Sequence, residues 1–233
     1  MDEKRSGVQE AAKFAVQAGC GSEENRATLI ESLKSGEDEL IREELAELPN
    51  LNAFLETISQ ITGRDEYSLE VVKSYWLGGG LPETEEPMET RLLAEHYAKT
   101  ISPEFAQELI ERLPEKVYLT HLTMVALIAS ADLSGDARLA GINHCMISGG
   151  RVKEVDVDNR TAAVERDVLI YKEGGGFEVI KKETSVAIDP DLTPTIRVND
   201  EVAMHQGVIA DVLNPKDVDR LAMWTRKVAE TLT

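Results

Sequence analysis

The spacing of apolar residues changes near residue 140, and this most constrains what the chain can form. Before that point apolar side chains recur every three or four residues; after it they alternate with polar ones. The first pattern buries one face of a helix and the second one face of a strand. A chain of 233 residues that switches period once is expected to fold as α+β, with helices and strands segregated. Charge shifts at the same place. Residues 1–140 carry 13 basic and 27 acidic side chains, a net of −14, whereas residues 141–233 carry 12 and 16, a net of −4.

The helical signals begin with an Ala-rich segment from Val8 to Gln17. Ser22, followed by Glu23 and Glu24, reads as a cap for Ala27 to Leu33. Glu37 to Leu48 places Leu40, Ile41, Leu45 and Leu48 at helical spacing before Pro49. A further segment, opening at Asn50, carries Leu51, Phe54, Leu55 and Ile58 on one face. Ser68 caps a helix with Leu69, Val72 and Trp76 in line, stopped by Gly78-Gly79-Gly80. Ser102-Pro103-Glu104 reads as a cap with proline at the first helical position. Val117 to Ser130 is nearly all apolar and is expected to be the central helix of the bundle.

The strand signals begin at Arg151-Val152-Lys153-Glu154-Val155-Asp156-Val157, which alternates polar with apolar. Thr161 to Val164, Asp167 to Tyr171, Phe177 to Ile180, Thr184 to Ile188, Thr195 to Val198 and Val202 to His205 continue the pattern. Turns are expected at Asp158-Asn159 and Gly174-Gly175-Gly176. Asn214-Pro215 starts a final helix. Several short strands separated by turn residues imply a small barrel of OB-like size.

The whole-chain net charge of −18 argues against a nucleic-acid footprint, which needs a basic patch, and against anionic membranes. The longest apolar stretch, Leu122 to Ala131, is too short to span a bilayer. The opening residues MDEKRSGVQE lack the apolar run of a secretory signal, and two cysteines make no disulfide framework. A cytoplasmic location is expected. Neither glycine triplet has a phosphate-loop pattern, so both read as turns or helix stops.

Among the chemically competent residues, His96 in Glu95-His96-Tyr97 reads as a surface histidine and His121, inside the apolar run, as a core one. Cys20, in Ala18-Gly19-Cys20-Gly21, reads as a small buried residue whose flanking glycines would admit a close approach. Tyr75 and Trp76 read as packing anchors, or as the lining of a cleft between domains near Cys20. Cys145 and His205 are the informative pair, because a thiolate and an imidazole suit iron, nickel, copper or zinc. Cys145 is expected to open the first barrel strand.

The stretch Cys145-Met146-Ile147-Ser148-Gly149-Gly150-Arg151-Val152, followed by Val198-Asn199-Asp200-Glu201-Val202-Ala203-Met204-His205-Gln206-Gly207, resembles the HypC/HupF hydrogenase maturation chaperones. Asn199 stands where that family has glycine, and asparagine tolerates the same turn geometry. Gly149 stands where the family also has proline. Cys145 is internal, whereas the family's cysteine follows the initiator methionine. The chain is also similar to a larger uncharacterised family from actinobacteria and archaea, encoded near NiFe-hydrogenase genes. That similarity runs through Gly19-Cys20-Gly21, Val71 to Gly78, Cys145 to Val152 and Asp200 to Gly207.

The change of period sets a helical domain over residues 1–138, a fusion the stand-alone chaperones lack, and the resemblance implies a HypC-like β-barrel with a C-terminal helix over residues 139–233. It implies a metallocentre assembly protein for NiFe-hydrogenase maturation, with iron carrying diatomic ligands, or nickel, as cargo. The implied metal ligands are Cys145 and His205, with Cys20 a further candidate from the other domain. The implied partners are a hydrogenase large subunit or other maturation factors. Two other readings stand beside this one: an interaction module of a hydrogenase-type complex without its own metal, and a nickel-handling protein. Nothing in the residues points to an enzymatic reaction.

Overall fold

Ser68, Ser102 and Asn214 each start a helix by accepting a hydrogen bond from the backbone amide three residues on, from Val71, Phe105 and Asp217 respectively. These side chains satisfy amides that a helix start otherwise leaves open. The computed structural model in which they are seen describes residues 6–17, 23–132, 135–190, 192–193 and 195–231. The chain divides into two compact units, residues 1–120 and 121–233.

The first unit is helical, with α1 (Gly7–Gln17), α2 (Glu23–Ser35), α3 (Asp38–Ala46), α4 (Pro49–Thr62) and α5 (Leu69–Leu77). A two-residue strand β1 (Met88–Glu89) precedes α6 (Thr90–Thr100) and α7 (Pro103–Arg112), and β1 pairs antiparallel with β2 (Lys116–Val117). Gly7 lets α1 lie directly on the start of α5, since a side chain there would collide with the Tyr67 carbonyl and the Leu69 amide. Ser22 and Cys20 lie outside the described residues.

An aromatic cluster fills this core. Phe14 stacks on Trp76 at 5.2 Å between ring centroids, Tyr75 meets Trp76 at 4.7 Å, and Phe54 lies 5.4 Å from Tyr75. Tyr75 and Trp76 are both buried, and packing is the role their surroundings assign to them. His96 corrects the surface reading. It is buried on α6, with Nδ1 3.1 Å from Glu56 Oε2 and Nε2 2.8 Å from Gln60 Oε1, both on α4. Helix α6 packs against α4 along this face, so the histidine bridges two helices.

The second unit opens with α8 (His121–Asp132) and α9 (Gly135–Cys145), followed by β3 (Ser148–Asp156), β4 (Thr161–Tyr171), β5 (Phe177–Ala187), β6 (Glu201–His205), β7 (Val208–Val212) and α10 (Pro215–Ala229). The five strands close into a barrel in the order β3-β4-β5-β7-β6, all neighbours antiparallel except β5 and β7. Closure between β5 and β7 rests on the pair Ala187↔Val208. Val152, Ala162, Val164, Val186, Val202, Met204 and Ile209 fill the barrel core, drawn from all five strands.

Several expectations shift. The apolar run after Val117 is helical only from His121, and α8 groups with the barrel unit, so the second unit begins before residue 139. The separate strand signals at 161–171 merge into β4, and those at 177–188 into β5. Thr195 to Val198 forms no strand. It leads into a turn in which Asn199 has φ +74°, its amide donating to the Val152 carbonyl while the Val152 amide donates to Asp200. Strand β7 follows β6 so closely that the alternation does not separate them.

Candidate functional site

Gln206 and Gly207 join β6 to β7 with positive φ values of 47° and 77°. A two-residue hairpin loop with both central residues left-handed matches the right-handed twist of its strands. The pair His205↔Val208 closes the hairpin. Two hydrogen bonds pin the loop: the Gln206 amide donates to the His144 carbonyl at 3.0 Å, and the Ala187 amide donates to the Gly207 carbonyl at 2.8 Å. The first ties the hairpin to the end of α9, the second to β5.

Cys145 is the last residue of α9, not the opening of a strand; β3 begins at Ser148. The helical bonding runs on to the Met146 amide, which donates to the Ile142 carbonyl at 2.8 Å, and Asn143 clamps this end of the helix to β4. Its side-chain amide donates to the Leu169 carbonyl at 2.8 Å, and its Oδ1 accepts from the Leu169 amide at 2.7 Å. Arg166 from β4 also donates to the Asn143 carbonyl. Met146 and Ile147 are then buried and turn the chain into β3. Cys145 is half-buried, and burial pushes its thiol pKa up. The bond from Gln206 to His144 therefore sets Cys145 and His205 at the same end of the barrel.

The glycines between them are strand residues rather than a loop. Gly150 points inward: a Cβ there would lie 2.7 Å from Val164 Cγ1 and 2.8 Å from the Glu165 carbonyl and Met204 Cε. Gly149 faces α10, where a Cβ would lie 3.5 Å from Leu221 Cδ2.

His205 follows Met204 on β6. Val202 and Met204 belong to the barrel core, so alternation turns Ala203 and His205 to the outer face. Helix α10 packs on that strand and on α8. His205 is 1% exposed, and the residue that meets it is His121, 2% exposed, at the start of α8. Their ring centroids are 4.7 Å apart and the planes cross at 84°. Burial, with a further contribution from His205, holds the His121 pKa well below the ordinary histidine value, so the neutral ring is the resting form.

The structure thus brings Cys145 and His205 to one end of the barrel, leaves Cys20 outside the described residues, and adds His121. No sequence spacing pairs His121 with His205; the available signal was only a polar ring at the edge of an apolar run. Among the described residues no group of three or more His, Cys, Asp or Glu side chains is placed to hold a metal ion. Among them, too, no helix is long and apolar enough to cross a membrane.

No curated protein and no solved structure matches this chain. A family model does match, over residues 4–232, nearly the whole length. The chain belongs to DUF6390, a family of unknown function.

Proposed function

We propose that the barrel unit handles a thiophilic transition metal, iron with diatomic ligands or nickel, in the assembly of a metallocentre such as that of a NiFe hydrogenase. The observation that carries this reading is the hydrogen bond from the Gln206 amide to the His144 carbonyl, which joins the cysteine-bearing end of α9 to the histidine-bearing end of β6. A closed five-stranded barrel with a terminal helix also suits the OB-like, HypC-like fold that the resemblance implies. A thiol and an imidazole fit the donor preferences of iron and nickel. Two protein ligands leave positions open for cargo ligands or for a partner's cysteines, as a carrier requires and a closed structural site does not. Metal binding would supply the deprotonation that burial of Cys145 opposes. The acidic helical unit would steer towards a basic surface on a hydrogenase large subunit or another maturation factor.

A second reading, an interaction module without its own metal, is favoured by the lack of a three-donor group among the described residues. One experiment separates the two. Metal content and Kd for iron(II) and nickel(II) are measured without oxygen on the wild type, Cys145→Ser, His205→Ala and Cys20→Ser. The carrier reading expects Cys145→Ser to weaken binding most, since the thiolate carries the charge that meets the cation. Equal binding by the wild type and a Cys145→Ser, His205→Ala double variant leaves the interaction module standing.

A further inference from the structure

His121 has no place in the Cys145–His205 reading, yet it lies nearer to His205 than its position in the sequence gives any reason to expect. Both rings are almost fully buried in the same unit, one at the start of α8 and the other at the end of β6. Protonating either ring sets a charge against its neighbour.

The distance fits a shared ion. Zinc-type metal–nitrogen bonds are about 2.0–2.1 Å, which puts each ring centroid ~3.2 Å from the metal and two centroids ~4.5–5.2 Å apart for ligand angles of about 90–110°. The observed 4.7 Å falls inside that window. Crossed ring planes are compatible with it, because each plane need only contain the metal. Imidazole pairs suit zinc, copper, iron and nickel alike.

We infer that His121 and His205 together form a bis-imidazole site for a divalent transition metal at the α8 end of the barrel. This rests on the reading that the barrel unit handles metal, and it changes which side chains hold the ion: His121 takes the place given to Cys20, and the remaining positions are open to a ligand brought by a partner.

The test uses the full-length protein and cobalt(II) as a spectroscopic probe. Wild type should bind one cobalt(II) with visible d–d absorption. His121→Gln and His205→Gln should each weaken binding ~10-fold or more, since loss of even an outer-shell partner costs about 10–100-fold. Circular dichroism of the metal-free variants checks that they fold. His121→Cys in a Cys145→Ser, Cys20→Ser background serves even if the glutamine variant does not fold. If residue 121 ligates, this variant gains a near-ultraviolet sulfur-to-cobalt charge-transfer band that its parent lacks. Cobalt binding by His121→Gln as tight as wild type, with binding abolished by Cys145→Ser, would overturn the inference and leave the Cys145–His205 site intact. No cobalt binding by the wild type would remove both readings. In that case the two histidines are a packed core pair.

Discussion

The Gln206 amide donates to the carbonyl of His144 at 3.0 Å, and this single bond joins two segments far apart in the chain. On one side stands Cys145, at the end of a helix held to β4 through Asn143. On the other stands His205, locked into a hairpin whose loop has no freedom to slide. A shift of one residue in that hairpin would turn His205 inward and Met204 outward. The two-residue loop is therefore part of the site as much as the side chains are.

Replacing Gly207 tests that connection. Its φ of +77° lies in the left-handed region, which a β-branched side chain adopts at a cost of about 1–3 kcal/mol. Gly207→Val should lower the denaturant midpoint with little change in the slope. It should also loosen the hairpin that carries His205. Gln206→Asn, which suits the left-handed position better, should leave the midpoint unchanged or raise it. A Gly207→Val protein as stable as wild type would show that the loop readily adopts another geometry.

The adjacent glycines of β3 should respond differently. A Cβ on Gly150 meets Val164, the Glu165 carbonyl and Met204 at 2.7–2.8 Å. The carbonyl belongs to a paired strand and cannot move aside, so Gly150→Ala should destabilise by about 1–3 kcal/mol, the range for overpacking. At Gly149 the nearest atom is a Leu221 methyl at 3.5 Å, an ordinary contact, and Gly149→Ala should be close to neutral. Equal effects at the two positions, read from thermal unfolding, would contradict the inward and outward assignment.

Glu66 offers a test by pH. Burial raises its pKa above the ordinary 4.5, with Glu56 and Asp65 adding to the rise and Arg42 opposing it. A carboxyl raised in the folded state binds its proton more tightly there than in the unfolded chain. Its ionisation therefore erodes stability as pH climbs from the unfolded value through the folded one. The side chain is part-exposed, so solvent screening keeps the effect small. Glu66→Gln should unfold at a higher denaturant concentration than wild type at about pH 7, and at a similar one at about pH 4. A difference that is larger in acid would reverse the sign and refute the assignment.

Local chemistry was legible in particular places. Ser68, Ser102 and Asn214 act as the caps that their spacing implied, and Asn199 sits at φ +74° as its turn required. The alternation after Arg151 led to a closed barrel. At Cys145 a helix end and a strand start lie only three residues apart, and spacing alone does not tell them apart. The Asn143 clamp to Leu169 that settles the matter spans two elements. His96 read as a surface residue because its neighbour Glu95 is acidic, but α4 supplies Glu56 and Gln60 to receive its ring.

The sequence by itself determined the α+β segregation, most helix starts and the turns, because these depend on hydrogen bonds and φ preferences within about four residues. Tertiary structure alone decided that α8 groups with the barrel, that β7 closes it beside β5, and that His121 meets His205. Those outcomes depend on how strands from distant segments close and on which helix covers the outer face. Burial and register act there between residues that no spacing rule connects.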